Sequence, residues 1–428
     1  CVVIECKQNI PCNPCESACP HHAISIGNPI TNLPVVDPEK CIGCGLCKNK
    51  CPYNAIEFIE NSEGFLYPQI IKEKCKNCGI CYNVCPAINS IDNHNEFKEE
   101  CYMTISKDKV IYKNSASGGF ATCLSEYVIT NLQGVVYGCN LDDNGNVKHI
   151  RVDNNKDLVK LQDSKYVQSN ILDIFKKVKE DASNKKVLFI GTPCQVEAIE
   201  KYLNRKELDN LITCDLVCHG VPSPKLFKNY LNYLSKKYNR KVTDYRFRNK
   251  TTFDKCGFRG KLKIAQKDKY FFAEEDIYYR DFLEEKNYRL SCYNCKYKVN
   301  KRVGDFTIGD VNSWENYYDF YPELASSLVI VNNSKAKNLF DELEQKLFVK
   351  EISLEKEKKI NKALSRQTEL PEERKQIYQK YKNLKQYEDE ITIDIDKKMQ
   401  IKNIMKIVIP FKVRIFVKKI LKRMNKNE

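Results

Sequence analysis

Hydrophobic positions change their rhythm along this chain. Over the first 90 residues they come in short strand-length runs, Ala23-Ile24-Ser25-Ile26 and Ala55-Ile56-Glu57-Phe58-Ile59, set between stretches rich in cysteine. From Lys113 onward, apolar runs alternate with amphipathic segments, the signature of an α/β layer in which parallel strands are expected. Val187-Leu188-Phe189-Ile190 predicts a buried strand. Gly191-Thr192-Pro193-Cys194 then turns the chain into a helix from Gln195 to about Leu203. Leu211 to Val217 predicts a second strand, closed by Cys218-His219-Gly220, and Ala121 to Thr130 carries apolar residues three and four apart. Residues 351–390 are charged, helical and poor in Gly and Pro, which predicts a solvated helix or pair. At the end, Ile407 to Phe411 and Ile415 to Val417 interleave with Lys412, Arg414, Lys418, Lys419, Lys422 and Arg423, a basic amphipathic pattern that Pro410 interrupts.

A chain of 428 residues exceeds one ordinary domain, and 42% hydrophobic with 30% charged residues is a globular balance. Two or three folded units are therefore expected. No run of 18 or more uncharged apolar residues occurs, and Cys1 to Ile10 lacks a basic start followed by an apolar core, so neither a spanning helix nor a signal peptide is read. The first residue is Cys1 rather than methionine, which leaves room for residues upstream. Lys397 to Glu428 holds eleven Lys/Arg and one acid, so +10 of the net +15 lies in the tail. The rest is nearly balanced and shows no base-reading motif, so no nucleic-acid partner is expected. The tail has two readings: a segment lying on an anionic membrane surface, or one docked on its own domain or a partner.

Cysteine changes the picture most. Thirteen of the 22 cysteines fall within the first 85 residues, at short intervals and followed by proline. That pattern suits reduced, metal-bound thiols and a cytoplasmic setting better than a disulfide framework. Three repeats end in Cys19-Pro20, Cys51-Pro52 and Cys85-Pro86. The second and third read C-x2-C-x2-C-x3-C-P through Cys41, Cys44, Cys47, Cys51 and Cys75, Cys78, Cys81, Cys85. Three thiolates wrap one 4Fe-4S cubane, and the fourth reaches the neighbouring cluster. Cys41, Cys44, Cys47 and Cys85 are thus assigned to one cluster, and Cys75, Cys78, Cys81 and Cys51 to the other. Zinc, which favours paired C-x2-C, is the competing reading. The first repeat, Cys6, Cys12, Cys15 and Cys19, has a longer first gap. It holds either a third, self-contained cluster or one shared with the second repeat. Cys1 reads as a buried strand thiol, and His21 and His22 as solvent-facing.

Clusters of this kind move single electrons, so a second centre is needed for hydride chemistry. Ser115-Ala116-Ser117-Gly118-Gly119-Phe120 opens a helix and offers backbone N–H groups to an anion such as a flavin pyrophosphate, or is a plain serine cap. Thr192 is placed to cap the next helix, with Pro193 in its first turn and Cys194 where the dipole favours a thiolate. With parallel strands, Cys194 and Cys218 meet at the carboxyl edge of the sheet. Cys292-x2-Cys295 completes four thiols for a further 4Fe-4S site, against zinc or no metal. Cys214, read as core, and Cys256 are substitutes; Cys101, Cys123 and Cys139 have no partner spacing.

The phrases Asn114 to Phe120, Ser164-Lys165-Tyr166-Val167-Gln168-Ser169, Gly191 to Gln195, Cys218 to Pro224 and Ser291 to Cys295 resemble the beta-subunit family of the coenzyme F-420 hydrogenases and dehydrogenases over roughly residues 40 to 345. The cysteine repeats add an extra ferredoxin-like repeat over 1–38, and charge and pattern a helical basic C-terminal tail over 346–428. Between them the resemblance implies an α+β ferredoxin-like 4Fe-4S dicluster domain over 39–92, then an α/β flavin-binding domain with FAD and 4Fe-4S over 100–345. It implies FAD lined by Ser115, Ser117, Gly118, Gly119, Ser164, Lys165, Tyr166, Gln168, Ser169, Gly191, Thr192 and Pro193, beside a cluster on Cys194, Cys218, Cys292 and Cys295. The implied activity is an oxygen-sensitive oxidoreductase, its partners ferredoxin or another redox protein and a hydride-carrying coenzyme or small substrate. A non-catalytic electron-transfer subunit, wiring a partner enzyme to ferredoxin as in surface-polysaccharide synthesis, is the other class. No acid-base catalyst is assigned; Lys165, Tyr166 and His219 are candidates by position. The loop Val311-Asn312-Ser313-Trp314 departs from the family's pattern, and residues 1–38 resemble small iron-sulfur proteins that serve anaerobic amino-acid oxidoreductases.

Overall fold

The computed structural model describes residues 36–89, 97–250, 259–298, 302–311 and 325–380, with isolated positions between 401 and 420. The first cysteine repeat, Cys256 and residues 312–324 with Trp314 lie outside the described residues.

Each of the two described repeats is a cysteine loop closed by one helical turn. Leu46–Lys50 (α1) starts after Gly45, and Ile80–Asn83 (α2) after Gly79. Both glycines have positive φ, which lets the loop turn sharply without a Cβ clash. Between them Ile56–Glu60 (β1) pairs antiparallel with Leu66–Ile70 (β2), so the strand expected after Asn54 is present.

Thirteen strands occur among the described residues. Those after the hairpin are Glu100–Ser106 (β3), Val135–Leu141 (β4), Val147–Val152 (β5), Val187–Gly191 (β6), Leu211–Leu216 (β7), Val242–Arg246 (β8), Arg259–Ile264 (β9), Lys267–Phe272 (β10), Phe306–Asp310 (β11), Ser327–Val331 (β12) and Leu347–Glu351 (β13). The large sheet runs β13-β3-β12-β11-β7-β6-β4-β5, while β8, β9 and β10 form a second, smaller sheet. Only the centre of the large sheet, β11-β7-β6-β4, is parallel. The expectation of a parallel sheet is therefore corrected to a mixed one. At one edge the physical reason is plain: β4 and β5 are joined by residues 142–146, too short for a crossover, so they must pair antiparallel.

Apolar faces place the helices. Phe120–Thr130 (α3) buries Phe120, Cys123, Leu124 and Val128 on one side of the sheet. On the other side lie Phe175–Ala182 (α4) and Pro193–Tyr202 (α5), together with Cys44 and Leu46 of the cysteine domain. Pro224–Lys237 (α6) and Ile277–Leu283 (α7) cover the small sheet with an aromatic core of Phe227, Tyr230, Tyr245, Phe247, Tyr278 and Tyr279. Ser334–Leu343 (α8) joins α3 on its face.

The large sheet takes in β13, beyond residue 345, and the chain then folds back over the domain. In Glu373–Lys380 (α9) Arg374, Ile377 and Tyr378 are buried, three and four residues apart, and Arg374 grips both oxygens of Glu63 at 2.9 and 2.7 Å. A freely solvated helix is not what this stretch forms, because that stripe packs on the aromatic core.

Candidate redox centre

Twelve of the sixteen described thiols fall into three groups. Burial pushes Cys44 up to about 12, and the neighbouring Cys85 and Cys41 add to the rise while Arg289 opposes it. Cys47 is raised well above the usual thiol range by burial and by Cys44, Cys41 and Cys85. Cys81 is pushed up to about 11, again by burial first, and feels Cys75, Cys78 and Cys51. The fourth cysteine of each repeat therefore faces the other repeat's triplet. A cavity lined by Cys51, Cys75, Cys78 and Cys81, with Ile56, Ile70 and Tyr53, lies inside the second group, and Cys78 is exposed.

Cys194, Cys218, Cys292 and Cys295 come together as the third group. Cys194 is raised well above the usual range by burial and by the other three, so the helix dipole expected to favour its thiolate is outweighed. Burial and neighbouring thiols push Cys292 up to about 12 and Cys218 up to about 11; Lys298 opposes both, and Arg302 also opposes the rise at Cys218. Thiols held this tightly ionise together only when a cation binds among them. One zinc would need its sulfurs within about 2.3 Å of one point. A cubane instead takes one thiolate at each of four corners, so its ligands surround a space.

A cavity of about 420 Å³ adjoins the third group. Its walls include Ser115, Ser117, Gly119, Ser164, Lys165, Tyr166, Gln168, Ser169, Gly191, Thr192 and Pro193, with Cys194, Cys218, Cys292 and Cys295. Ile42, Gly43 and Cys44 of the dicluster segment reach the same cavity. Gly43 sits at φ +68, and a Cβ there would lie 2.8 Å from Arg289 Nη1, so glycine is what permits that approach. Gly118 is the exception among the expected lining residues. It packs behind the wall, its N–H donating to Ser327 Oγ at 2.9 Å, where a Cβ would fall 2.0 Å from the Thr104 carbonyl.

Several expected contacts are already engaged in the protein. Ser115 Oγ donates to the Ile111 carbonyl, and Ser117 Oγ pairs with Ser327 Oγ at 2.9 Å. Gln168 spans the domains, donating to the Ile42 carbonyl at 3.0 Å and accepting from Arg289 at 3.1 Å. Lys165 Nζ is wrapped by the carbonyls of residues 160–163, and burial lowers its pKa. Tyr166 stacks on Phe282 at 4.2 Å, and its hydroxyl accepts from Arg248 at 3.3 Å. His219 lies on the cavity wall, where burial, with Lys298 nearby, pulls its imidazole down to about 4. Gln195 Oε1 accepts from the Thr192 N–H at 3.1 Å at the start of α5, while the Thr192 hydroxyl lies 3.2 Å from Cys194 Sγ.

Ser169 serves His149, whose Nδ1 lies 2.7 Å from its hydroxyl while Nε2 lies 2.9 Å from the Ile190 carbonyl. The carbonyl can only accept, so Nε2 carries the proton. Burial, with Lys165 nearby, holds the imidazole down to about 4 from 6.5. An unfolded chain binds this proton below about pH 6.5 and the folded one only below about 4, so the stability contributed by neutral His149 is complete above the upper value. It is lost as pH falls through that window, at about 1.4 kcal/mol per pH unit. Urea midpoints measured from pH 7.5 to 5 are expected to fall more steeply for the native protein than for His149→Gln.

Residues 184–357, from β6 past β13, match the family model for the C terminus of the coenzyme F420 hydrogenase/dehydrogenase beta subunit. The chain carries the C-terminal domain of that beta-subunit family. Residues 34–92 and 10–55 each match a 4Fe-4S dicluster domain, so the chain is an iron-sulfur, electron-transfer oxidoreductase-like protein related to the F420 hydrogenase beta subunit. A chain of the xenon-derivatised F420-reducing [NiFe] hydrogenase complex from Methanosarcina barkeri is similar at 16% identity and TM-score 0.44, covering 67% of this chain and 91% of that one. No curated protein matches. Among the described residues no helix is long and apolar enough to cross a membrane.

Sequence reading missed Arg289, His149, Lys298 and Arg302, and placed no role on Cys139, which also lines the cavity. Their signal is absent from local spacing, since each acts on residues far away in the chain. Arg289 is 1% exposed and donates to the carbonyls of Cys41 at 2.7 Å and Leu66 at 3.0 Å. Cys214, read as core, is indeed buried.

Proposed function

We propose that this protein is an iron-sulfur flavoprotein oxidoreductase, exchanging a hydride or two electrons between FAD and a reduced coenzyme or substrate, F-420-like or other, and passing single electrons through 4Fe-4S clusters to or from ferredoxin or a partner. One observation carries the reading: a single cavity of about 420 Å³ touches both the Cys194, Cys218, Cys292, Cys295 group and Cys44 of the dicluster segment. Its volume lies in the range of cofactor sites. Its lining fits a flavin, with hydroxyls of Ser164 and Thr192 and the N-terminus of α3 for polar groups, and Leu158, Leu161, Ile190, Val217 and Ile308 for a flat ring. Bound there, FAD would supply the step between two-electron and one-electron chemistry.

The chain's own residues would do the rest. Ser115, Ser117, Gly119 and the segments 164–169 and 191–193 would hold the cofactor, with Gly118 supporting them from behind. Lys298 and Arg302 place positive charge beside the third thiol group, favouring its thiolates. Buried Arg289 keeps the loop of Gly43 and Cys44 against the cavity. Lys165, its ammonium held by four carbonyls, steadies the wall rather than offering a mobile proton.

Anoxic purification followed by flavin and iron analysis tests the reading. Bound FAD together with iron and sulfide is expected, and reduced F-420, NADH and reduced ferredoxin offered in turn identify which donor bleaches the flavin. Iron without flavin would leave an electron carrier that wires a partner enzyme and would overturn the flavoprotein assignment.

A further inference from the structure

Two uncovered apolar stripes end the described chain. Ile401, Ile404, Met405 and Val408 follow the spacing i, i+3, i+4, i+7, and Val413, Phe416, Val417 and Ile420 repeat it. All eight are exposed, from 43% at Ile420 to 70% at Val408, and all eight are helical. Pro410, which cannot continue a helix, falls between the two. Among the described residues of the tail only Asn403, on the other side of the first stripe, is buried, its amide donating to Glu275 at 3.4 Å. Where it is described, the tail meets the domain through Asn403, and the eight stripe side chains stay open.

Charge decides what covers that face. From Lys397 to Glu428 the sequence places eleven Lys/Arg and one acid, with Lys402, Lys406, Lys412, Arg414, Lys418 and Lys419 between the stripe positions. A protein groove that buried such a stripe would have to neutralise basic residues on both flanks. An anionic lipid surface accepts both at once, with apolar side chains among the acyl chains and ammonium groups at the headgroups. Neither stripe is long enough to span a bilayer, which needs roughly 20 apolar residues.

We propose that the exposed stripes Ile401, Ile404, Met405, Val408 and Val413, Phe416, Val417, Ile420 act as a two-part amphipathic anchor that lays this protein on an anionic membrane surface, the break at Pro410 letting each stripe settle separately. The anchor places the redox domain at the lipid boundary, where membrane-bound electron carriers or lipid-linked substrates are met, without any spanning segment. This inference does not depend on which cofactor fills the cavity.

Vesicle flotation of the full chain, handled without oxygen, tests it. With vesicles of phosphatidylcholine and one-third phosphatidylglycerol, at least about tenfold more protein is expected to float than with phosphatidylcholine alone, and the excess should collapse in 1 M salt, where the screening length falls to about 3 Å. Val408→Asp with Phe416→Asp, both at exposed positions and so neutral to folding, should abolish flotation while leaving iron content unchanged. Lys418→Glu with Lys419→Glu should weaken it. Equal flotation with neutral vesicles, no flotation with either, or flotation that survives Val408→Asp with Phe416→Asp would each overturn the proposal. So would a dimer in solution that Val408→Asp dissociates, since a second copy would then be the cover.

Discussion

A Cys85→Ser protein purified without oxygen is expected to lose the cluster on Cys41, Cys44 and Cys47 and to keep the one on Cys75, Cys78 and Cys81, although Cys85 belongs to the repeat of the latter. Cys85 packs with Cys41 and Val36, and its thiol is raised first by burial and then by Cys41. Cys51→Ser should do the reverse, because Cys51 shares a cavity with Cys75, Cys78 and Cys81. Iron content should fall by about one cubane in each case, and the electron paramagnetic resonance of the two variants should be complementary. Loss of the same signal in both would show that the repeats do not exchange their fourth ligand. A serine hydroxyl is a harder and poorer ligand for cluster iron than a thiolate, so the cluster that loses its fourth sulfur is the one expected to be depleted or altered.

The second large effect concerns Arg289. Its guanidinium donates to the Cys41 and Leu66 carbonyls and to Gln168, and it lies over the Tyr67 ring at 4.1 Å. Arg289→Leu would orphan two buried carbonyls and remove the charge that favours thiolate at Cys44, at a cost of about 3–5 kcal/mol. Denaturant unfolding of the anoxic protein should show a loss of this order. The contacts join the dicluster segment to the cavity wall, so, with the flavin proposed above in that cavity, electron transfer from the cavity to the dicluster should slow more than flavin reduction itself. Equal slowing of both steps would mean that Arg289 matters only for folding. Arg289→Lys should recover stability partly, because a lysine reaches one carbonyl but not the fork of partners.

Local signals and distant ones differ in what they reveal. The turn at Thr192-Pro193 was legible because a Thr followed three residues later by Gln, a helix-favouring proline and a preceding apolar run all act within ten residues. Cys194 and Cys218 were placed together by one further step, the parallel pairing of β6 and β7, which the structure contains. Parallel order across the whole sheet was not legible, since β3, β12 and β13 pair antiparallel over separations that no periodicity records. The burial of Arg374 and Tyr378 was likewise hidden: a charged helix looks solvated until its partner, here Glu63 and the aromatic core, is brought to it.

Cysteine spacing alone determined that two four-thiol sites share the repeats at 41–85, because cluster geometry is imposed on a loop of about ten residues. Apolar rhythm alone determined the strands and helices that frame the second domain. Only the tertiary structure decided that Gly43 and Cys44 open onto the same cavity as Cys218 and Cys292, that Gly118 stands behind the wall, and that Arg289 holds the two parts together. Contacts between residues more than a hundred positions apart depend on how whole layers pack, and packing is a property of the assembled surfaces rather than of any segment's own pattern.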